Sequence, residues 1–171
     1  MKKTIWFDMD GTIANLYGVE NWLSKLIAHD ASPYAEAAVM LNMSQLARLL
    51  NKVQAVGYSI GIISWLSKSP TPEYDEAVTE AKKSWLSQHL KSVHFDEINI
   101  VSHGTPKEDF MNTPYDILFD DEEQNRKNWL GYSYEPDEIV TVLKELLQND
   151  DDDSPRYCFV DGDDENAILY F

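Results

Sequence analysis

Two aspartates, Asp8 and Asp10, stand directly after a short apolar run and are the first residues whose types and spacing could do chemistry. In extended backbone, side chains two residues apart point to the same side, so the two carboxylates come close together. Charges of like sign at that distance repel, and a bound cation is the usual remedy. Carboxylate oxygens suit Mg²⁺, which takes few protein ligands and keeps waters or a substrate phosphate. The pair therefore predicts a magnesium site.

Each of three later apolar runs is also followed, directly or after a loop, by polar residues that suit phosphate chemistry. Ser64 offers a hydroxyl that can donate to a phosphate oxygen, and Lys107 offers a cation near a predicted helix start, where anions bind well. Asp120 and Asp121 form a second acidic pair able to face the first. Each feature alone is common in turns and acidic loops. Their order, each behind its own apolar run, is what makes the pattern specific.

The apolar runs themselves predict four buried strands, at residues 4–7, 59–63, 97–101 and 116–119. Helical patterns lie between and after them, at residues 44–56 with Ser44 as N-cap, 71–90 behind Thr71, a short helix after a Thr105–Glu108 capping box, and 139–147. Strands that alternate with helices predict an α/β, Rossmann-like, doubly wound and mostly parallel sheet. The polar residues fall at the strand ends, where such sheets bind ligands.

Residues 15–43 do not fit this alternation, and we interpret them as a helical insertion after the first strand. The alternative is a longer crossover packed on the sheet. The aromatic side chains of Trp22, Tyr17 and Tyr34 could stack on a substrate ring. Aromatic residues at helical spacing nevertheless favour a place in the core, and Trp22 lies on the apolar face. Trp65, which directly follows Ser64, is therefore the better candidate for contact with substrate.

Charge and composition restrict the partners and the setting of the chain. The net charge of −16 argues against nucleic-acid backbones and anionic membrane surfaces as partners. The 171 residues suit one α/β core (residues 1–14 and 44–149) that carries the insertion, followed by an acidic linker and C-terminal hairpin (residues 150–171). A single cysteine and the lack of an export signal favour a cytoplasmic protein. The sequence does not specify the oligomeric state.

The segment Asp8-Met9-Asp10-Gly11-Thr12, followed by Ser64, Lys107 and Asp120-Asp121, resembles the haloacid dehalogenase-like superfamily of phosphohydrolases. The resemblance covers residues 1–132. It implies that the α/β core is catalytic and that residues 15–43 are the small helical cap that this superfamily places after the first strand. It implies that Asp8 attacks phosphorus to form an aspartyl-phosphate, and that Asp10 protonates the leaving alcohol and then activates water.

The resemblance also implies how metal and phosphate are held. Mg²⁺ would be bound by Asp8, the Asp10 backbone carbonyl and Asp120, with Asp121 assisting. Ser64 and Lys107 would bind the phosphate oxygens, with Lys82, Lys83 or Lys68 as substitutes for Lys107. Thr12 would also bind the phosphate, and together with Gly11 it would form the turn by which the chain leaves the end of the first strand.

The substrate that these features favour is a small phosphomonoester. The short cap and the strand leading into Asp120-Asp121 look most like the 5′-nucleotidase and deoxyribonucleotidase branch, which implies (deoxy)nucleoside monophosphates as substrates. Arg126 and Trp129 after the acidic pair also resemble polynucleotide 3′-phosphatases, an alternative that the negative charge opposes. A further alternative is a non-catalytic binding or interaction protein with the same fold.

Overall fold

The computed structural model describes residues 2–150, which alternate strands and helices. The elements in chain order are β1 (Thr4–Phe7), β2 (Ala14–Asn15), α1 (Trp22–Ile27), α2 (Ser32–Glu36), β3 (Ala38–Val39), α3 (Met43–Ala55), β4 (Ser59–Trp65), α4 (Pro72–His89), β5 (Glu97–Val101), β6 (Ile117–Phe119), α5 (Glu123–Asn128), β7 (Tyr132–Tyr134) and α6 (Ile139–Asp150). Short 3₁₀ helices occupy Leu16–Gly18, Lys107–Phe110 and Pro136–Glu138. The predicted hairpin lies in residues 151–171, outside the described residues.

The central sheet has five parallel strands in the order β5-β4-β1-β6-β7. This is the Rossmann-like α/β sheet that the sequence predicts, and the four predicted strands are all present. The fifth strand, β7, was not predicted, because its three residues are polar or aromatic and no apolar run marks it. Since β1 lies between β4 and β6, the ends of these three strands meet at one edge of the sheet.

Alternate residues of β1 pack into different layers on the two sides of the sheet. Ile5 and Phe7 belong to the main core beneath α3, α4 and α6, whereas Trp6 packs with Ile63 and Leu118 on the opposite side. A Cβ at Gly61 would lie 2.2 Å from the Trp6 ring, so only glycine leaves room for that indole in the neighbouring strand. Burying apolar residues on both sides fixes the register of β1 and hence the position of the residues that follow it.

Residues 14–43 form a small insertion above the carboxyl ends of the strands. β2 and β3 pair as a two-stranded antiparallel ribbon, and α1 and α2 lie between them in the chain. The ribbon was not predicted, because two residues in each strand give no visible alternation. α2 packs against α4, with Tyr34 buried beside Tyr74 and Val78. Ala14 and Ala37 of the insertion are buried in the main core as well, whereas α1 buries none of its side chains fully.

Two details of the predicted helix starts were wrong. Asn42, not Ser44, caps α3 through a side-chain oxygen that accepts from the Gln45 backbone N–H. Thr105 caps no helix, because its hydroxyl donates to the Ser102 carbonyl at 2.8 Å. The Thr71 cap of α4 is confirmed, with its hydroxyl accepting from the Tyr74 N–H. Among the helices of residues 2–150, none combines the length and the hydropathy needed to cross a lipid bilayer.

Candidate active site

Asp8 and Asp10 begin the site at the end of β1, where the backbone turns sharply. The Met9 carbonyl accepts hydrogen bonds from the N–H groups of Thr12, Ile13 and Ala14. Gly11 adopts a φ of +82°, and a Cβ there would lie 2.3 Å from Asp121 Oδ2. Glycine is therefore required at position 11 both for the backbone angle and for the close approach of Asp121.

Lys107 forms ion pairs with one aspartate directly after β1 and one directly after β6. Its ammonium lies 2.8 Å from Asp8 Oδ1 and 2.6 Å from Asp120 Oδ2, and the side chain is almost fully buried. Burial by itself lowers the pKa of Lys107, but the two carboxylates outweigh burial and raise it. The lysine is therefore charged at neutral pH. Two of its three N–H groups point to these carboxylates, which leaves one for a bound anion.

Asp120 is buried and held by several donors besides Lys107. Its Oδ1 accepts from the Glu122 backbone N–H, and both of its oxygens accept from the Asn125 side chain. Arg126 donates to the backbone carbonyls of Asp120 and Asp121, at 2.7 and 2.8 Å. Neither Asn125 nor Arg126 was predicted as part of the site. Their positions one helical turn beyond the acidic pair are the signal that could have found them.

Asp121 has fewer protein partners and faces the cavity described below. Its carboxylate makes a long contact of 3.4 Å with the Thr12 hydroxyl, which in turn accepts from the Asp121 N–H. Burial, followed by repulsion from Asp8 and Asp120, raises the pKa of Asp121 to about 7. The prediction that Thr12 binds phosphate stays a prediction. In the structure Thr12 is fully buried and its hydroxyl contacts Asp121.

The carboxylates of Asp8, Asp120 and Asp121 form a cluster that suits a metal ion. One oxygen from each lies within 4.8 Å of the others. With Asp10, the site holds four carboxylates, against the two ammonium groups of Lys82 and Lys107. When all are ionised, two negative charges remain without a counter-ion, which matches the charge of one divalent cation. An all-oxygen donor set of this kind fits Mg²⁺.

Lys82 occupies the other side of Asp10 and is fully buried. Its ammonium donates to Asp10 Oδ2 at 2.6 Å, to Ser64 Oγ at 2.8 Å and to the Trp65 carbonyl at 2.7 Å. These three contacts use all three N–H groups of the lysine. The suggestion that Lys82 could replace Lys107 as the phosphate ligand therefore does not fit the structure. Lys83 is exposed, and it lines a separate groove with Leu86 and Leu90.

Ser64 lies at the same place as predicted, near the end of β4, and is completely buried. Because its Oγ accepts from Lys82, the hydroxyl proton remains free to donate. Burial is the first cause that raises the pKa of Asp10, and the nearby Asp8 raises it further, while Lys82 opposes both. Ser64, Lys82 and Asp10 thus form a hydrogen-bonded group beside Asp8.

A cavity of about 250 Å³ opens directly above Asp8, Asp10, Lys107 and Asp121. Trp65 lines it, with its ring 5.1 Å from the Lys107 ammonium and its N–H donating to the Thr105 carbonyl, and its contact with substrate stays a prediction. Lys68, the third substitute for Lys107, lines the cavity as well.

Trp22 also lines the cavity and is only partly buried, so the interpretation that it belongs to the core was wrong. Helical spacing identified an apolar face of α1 correctly, but not that this face borders the cavity.

Comparison with known proteins shows the fold. No protein-family model and no curated protein matches the chain. A chain from the Pnkp1/Rnl/Hen1 complex aligns with 79% of this chain, with a TM-score of 0.51 and 15% identity, and the match covers 46% of that chain. D,D-heptose 1,7-bisphosphate phosphatase from Burkholderia thailandensis aligns with 85% of this chain and 99% of its own, with a TM-score of 0.50 and 16% identity.

These solved structures show that the chain has a Rossmann-like α/β fold. The chain spans less than half of the matched chain of the Pnkp1/Rnl/Hen1 complex. Neither structure gives support to the 5′-nucleotidase branch in particular. The activity and the substrate are therefore argued from the site itself.

Proposed function

We propose that the protein is a Mg²⁺-dependent phosphatase that hydrolyses a small phosphomonoester through an aspartyl-phosphate at Asp8. The observation that carries this proposal is the position of the Asp8 carboxylate. It borders the cavity, Lys107 contacts one of its oxygens at 2.8 Å, and Asp10 follows two residues later. A carboxylate fixed in this way beside a cation suits nucleophilic attack on a phosphoryl group that the cation also binds.

In the first half of the reaction, an Asp8 oxygen attacks phosphorus and the bond between phosphorus and the leaving alcohol breaks. Asp10 donates its proton to the alcohol oxygen, so the alcohol leaves neutral. Burial raises the pKa of Asp10, which favours the protonated acid that this step needs. In the second half, Asp10 accepts a proton from the water that attacks the aspartyl-phosphate, which frees phosphate and restores Asp8.

The phosphate oxygens would be bound by the remaining N–H of Lys107, which contacts Asp8 directly, and by the Ser64 hydroxyl, which is linked to Asp10 through Lys82. The sequence-based expectation was that Asp120 binds the metal and Asp121 assists. We propose the reverse: Asp8, Asp121 and the Asp10 backbone carbonyl would hold Mg²⁺, and Asp120 would contribute its charge to the same cluster. When bound, the cation supplies charge neutralisation between the anionic substrate and the carboxylates. Asp121 lines the cavity and has fewer donors around it than Asp120, which supports Asp121 as the direct ligand.

Phosphate release from a panel of phosphomonoesters, with and without Mg²⁺, tests the proposal. The panel includes nucleoside 5′-monophosphates, the finer substrate class that the sequence suggests, and a 3′-phosphorylated oligonucleotide for the polynucleotide alternative. We expect Asp8→Asn to abolish release and Asp137→Asn, at an exposed aspartate outside the site, to leave it unchanged. Activity that survives Asp8→Asn or a chelator contradicts the mechanism. Without turnover of any ester, the binding-protein alternative is favoured.

A further inference from the structure

The cavity has an apolar wall that the chemistry at Asp8 does not explain. Tyr17 lies against the Gly11 turn, since a Cβ at Gly11 would be 2.9 Å from its ring. The rings of Tyr17 and Trp22 meet edge to face, with their centroids 5.1 Å apart. An aromatic surface therefore begins beside the carboxylates and continues outward along α1.

The same wall extends to aliphatic residues of α1 that are open to solvent. Leu23 is 54% exposed and Ile27 is 70% exposed, yet both border the cavity. Large apolar side chains gathered around one opening indicate a binding surface rather than scattered exposure. The cavity lining also includes Trp65 and His103, whose rings meet edge to face with their centroids 4.8 Å apart. Two pairs of aromatic rings therefore border the cavity next to the proposed phosphate position.

From this arrangement we infer that the substrate is a phosphomonoester whose alcohol carries a single aromatic or apolar group, placed between the α1 wall and Trp65. This inference rests on the proposed function and specifies its substrate class. An aromatic ring placed there would bury apolar area against Trp22, Leu23 and Ile27, whereas the hydroxyl groups of a polyhydroxylated alcohol would gain nothing from these side chains. The volume also fits, since an apolar cavity of about 150 Å³ holds benzene and this cavity measures about 250 Å³.

Two esters that both release a primary alcohol separate the apolar contact from leaving-group chemistry. We expect kcat/KM for benzyl phosphate to exceed that for glycerol 1-phosphate by at least about tenfold, as burial of one ring predicts. Leu23→Gln should reduce kcat/KM for benzyl phosphate severalfold more than kcat/KM for glycerol 1-phosphate. Leu130→Gln is the matched control, because Leu130 is 83% exposed and does not line the cavity. Equal rates on the two esters, or an equal loss on both in Leu23→Gln, overturn the inference.

A binding measurement distinguishes failure of this inference from failure of the proposed function. Benzylphosphonate and methylphosphonate cannot be hydrolysed, so calorimetry compares their affinities without turnover. We expect tighter binding of benzylphosphonate, and Leu23→Gln should remove the difference. If no ester is hydrolysed, the proposed function fails. If the two phosphonates also bind with equal affinity, the inference is overturned as well. A dimer that Leu23→Gln dissociates would also overturn it, because a second copy of the chain would then cover the apolar wall.

Discussion

Lys82 on α4 donates a hydrogen bond of 2.6 Å to Asp10 on the turn after β1, across 72 positions of the sequence. The same ammonium contacts Ser64 and the Trp65 carbonyl, and it lies 4.9 Å from the centre of the Tyr34 ring. One buried lysine thereby links the proposed acid, the proposed phosphate-binding serine and the cap. In this arrangement Lys82 is a positioning residue, since its three N–H groups are all occupied by protein atoms.

Replacing Lys82 by methionine should reduce kcat about 100-fold, the size of effect expected when a general acid loses its position. Loss of the charge also leaves Asp10 without its partner, so the free energy of unfolding should fall by about 3 kcal/mol. Lys83→Met is the matched control, because Lys83 is exposed one residue further along α4. Steady-state kinetics and urea unfolding check both effects. Lys82→Arg, which retains the charge, should recover part of kcat. A rise in KM with kcat unchanged would instead indicate a phosphate ligand.

The two residues of the acidic pair should differ in what their substitution changes. Asp121→Asn should weaken Mg²⁺ binding at least about tenfold, because it removes a ligand with few other contacts. Asp120→Asn should mainly lower stability, since Asp120 accepts from Lys107, Asn125 and the Glu122 N–H. Calorimetric titration with Mg²⁺ and thermal unfolding without metal measure the two effects separately. Equal loss of Mg²⁺ affinity in both variants, with equal stability, would contradict the assignment of Asp121 as the direct ligand.

The metal-free protein should become less stable as the pH rises from 5 to 8. Burial and two neighbouring carboxylates raise the pKa of Asp121 to about 7, and burial raises those of Asp10 and Asp120 as well. A carboxyl group whose pKa is higher in the folded than in the unfolded state stabilises the fold at low pH. That contribution is lost as the pH rises through the folded-state pKa.

Thermal unfolding in the presence of a chelator, at a series of pH values, measures this dependence. We expect Tm to fall by several degrees across the range and Asp121→Asn to flatten the profile. Mg²⁺ should restore Tm more at pH 8 than at pH 5, because protons compete with the cation for the carboxylates. A Tm that rises steadily from pH 5 to 8 without metal would be inconsistent with the carboxylate cluster.

Gly11→Ala should abolish activity and destabilise the fold, because the new Cβ would collide with Asp121 Oδ2 in addition to opposing a positive φ. Gly57→Ala is a matched control, since Gly57 has a φ of +109° and a Cβ added there would meet no atom within 4 Å. That substitution introduces only backbone strain, about 1 kcal/mol, and should leave kcat unchanged. Unfolding and kinetics of both variants separate backbone strain from the close approach at the site. Similar kinetics for the two would show that Asp121 does not need its position beside Gly11.

The sequence predicted that the candidate site residues lie at the ends of strands, and the structure places them there. Asp8, Ser64 and Asp120 each lie at or directly after an apolar run, and parallel strands bring such positions together. Their partners were harder to find. The pairing of Lys82 with Asp10 depends on how α4 docks against the sheet, a relationship over 72 residues that no local pattern contains.

The cap shows the limit of periodicity as a guide. The spacing of Trp22, Leu23 and Ile27 identifies an apolar helix face, but spacing does not tell which surface covers that face. In the structure this face of α1 borders the cavity, and none of the α1 side chains is fully buried. The short strands β2, β3 and β7 escaped prediction because runs of two or three residues carry no detectable alternation.

Reductive trapping of the reaction intermediate tests the central claim that Asp8 is the nucleophile. Borohydride added during turnover of benzyl phosphate would reduce an aspartyl-phosphate to homoserine, which mass spectrometry of the peptide that contains residue 8 detects. We predict homoserine at position 8 only when substrate is present, and none at position 10. Phosphate release at the full rate with Asp8 unmodified, or with the modification at another residue, would contradict the account.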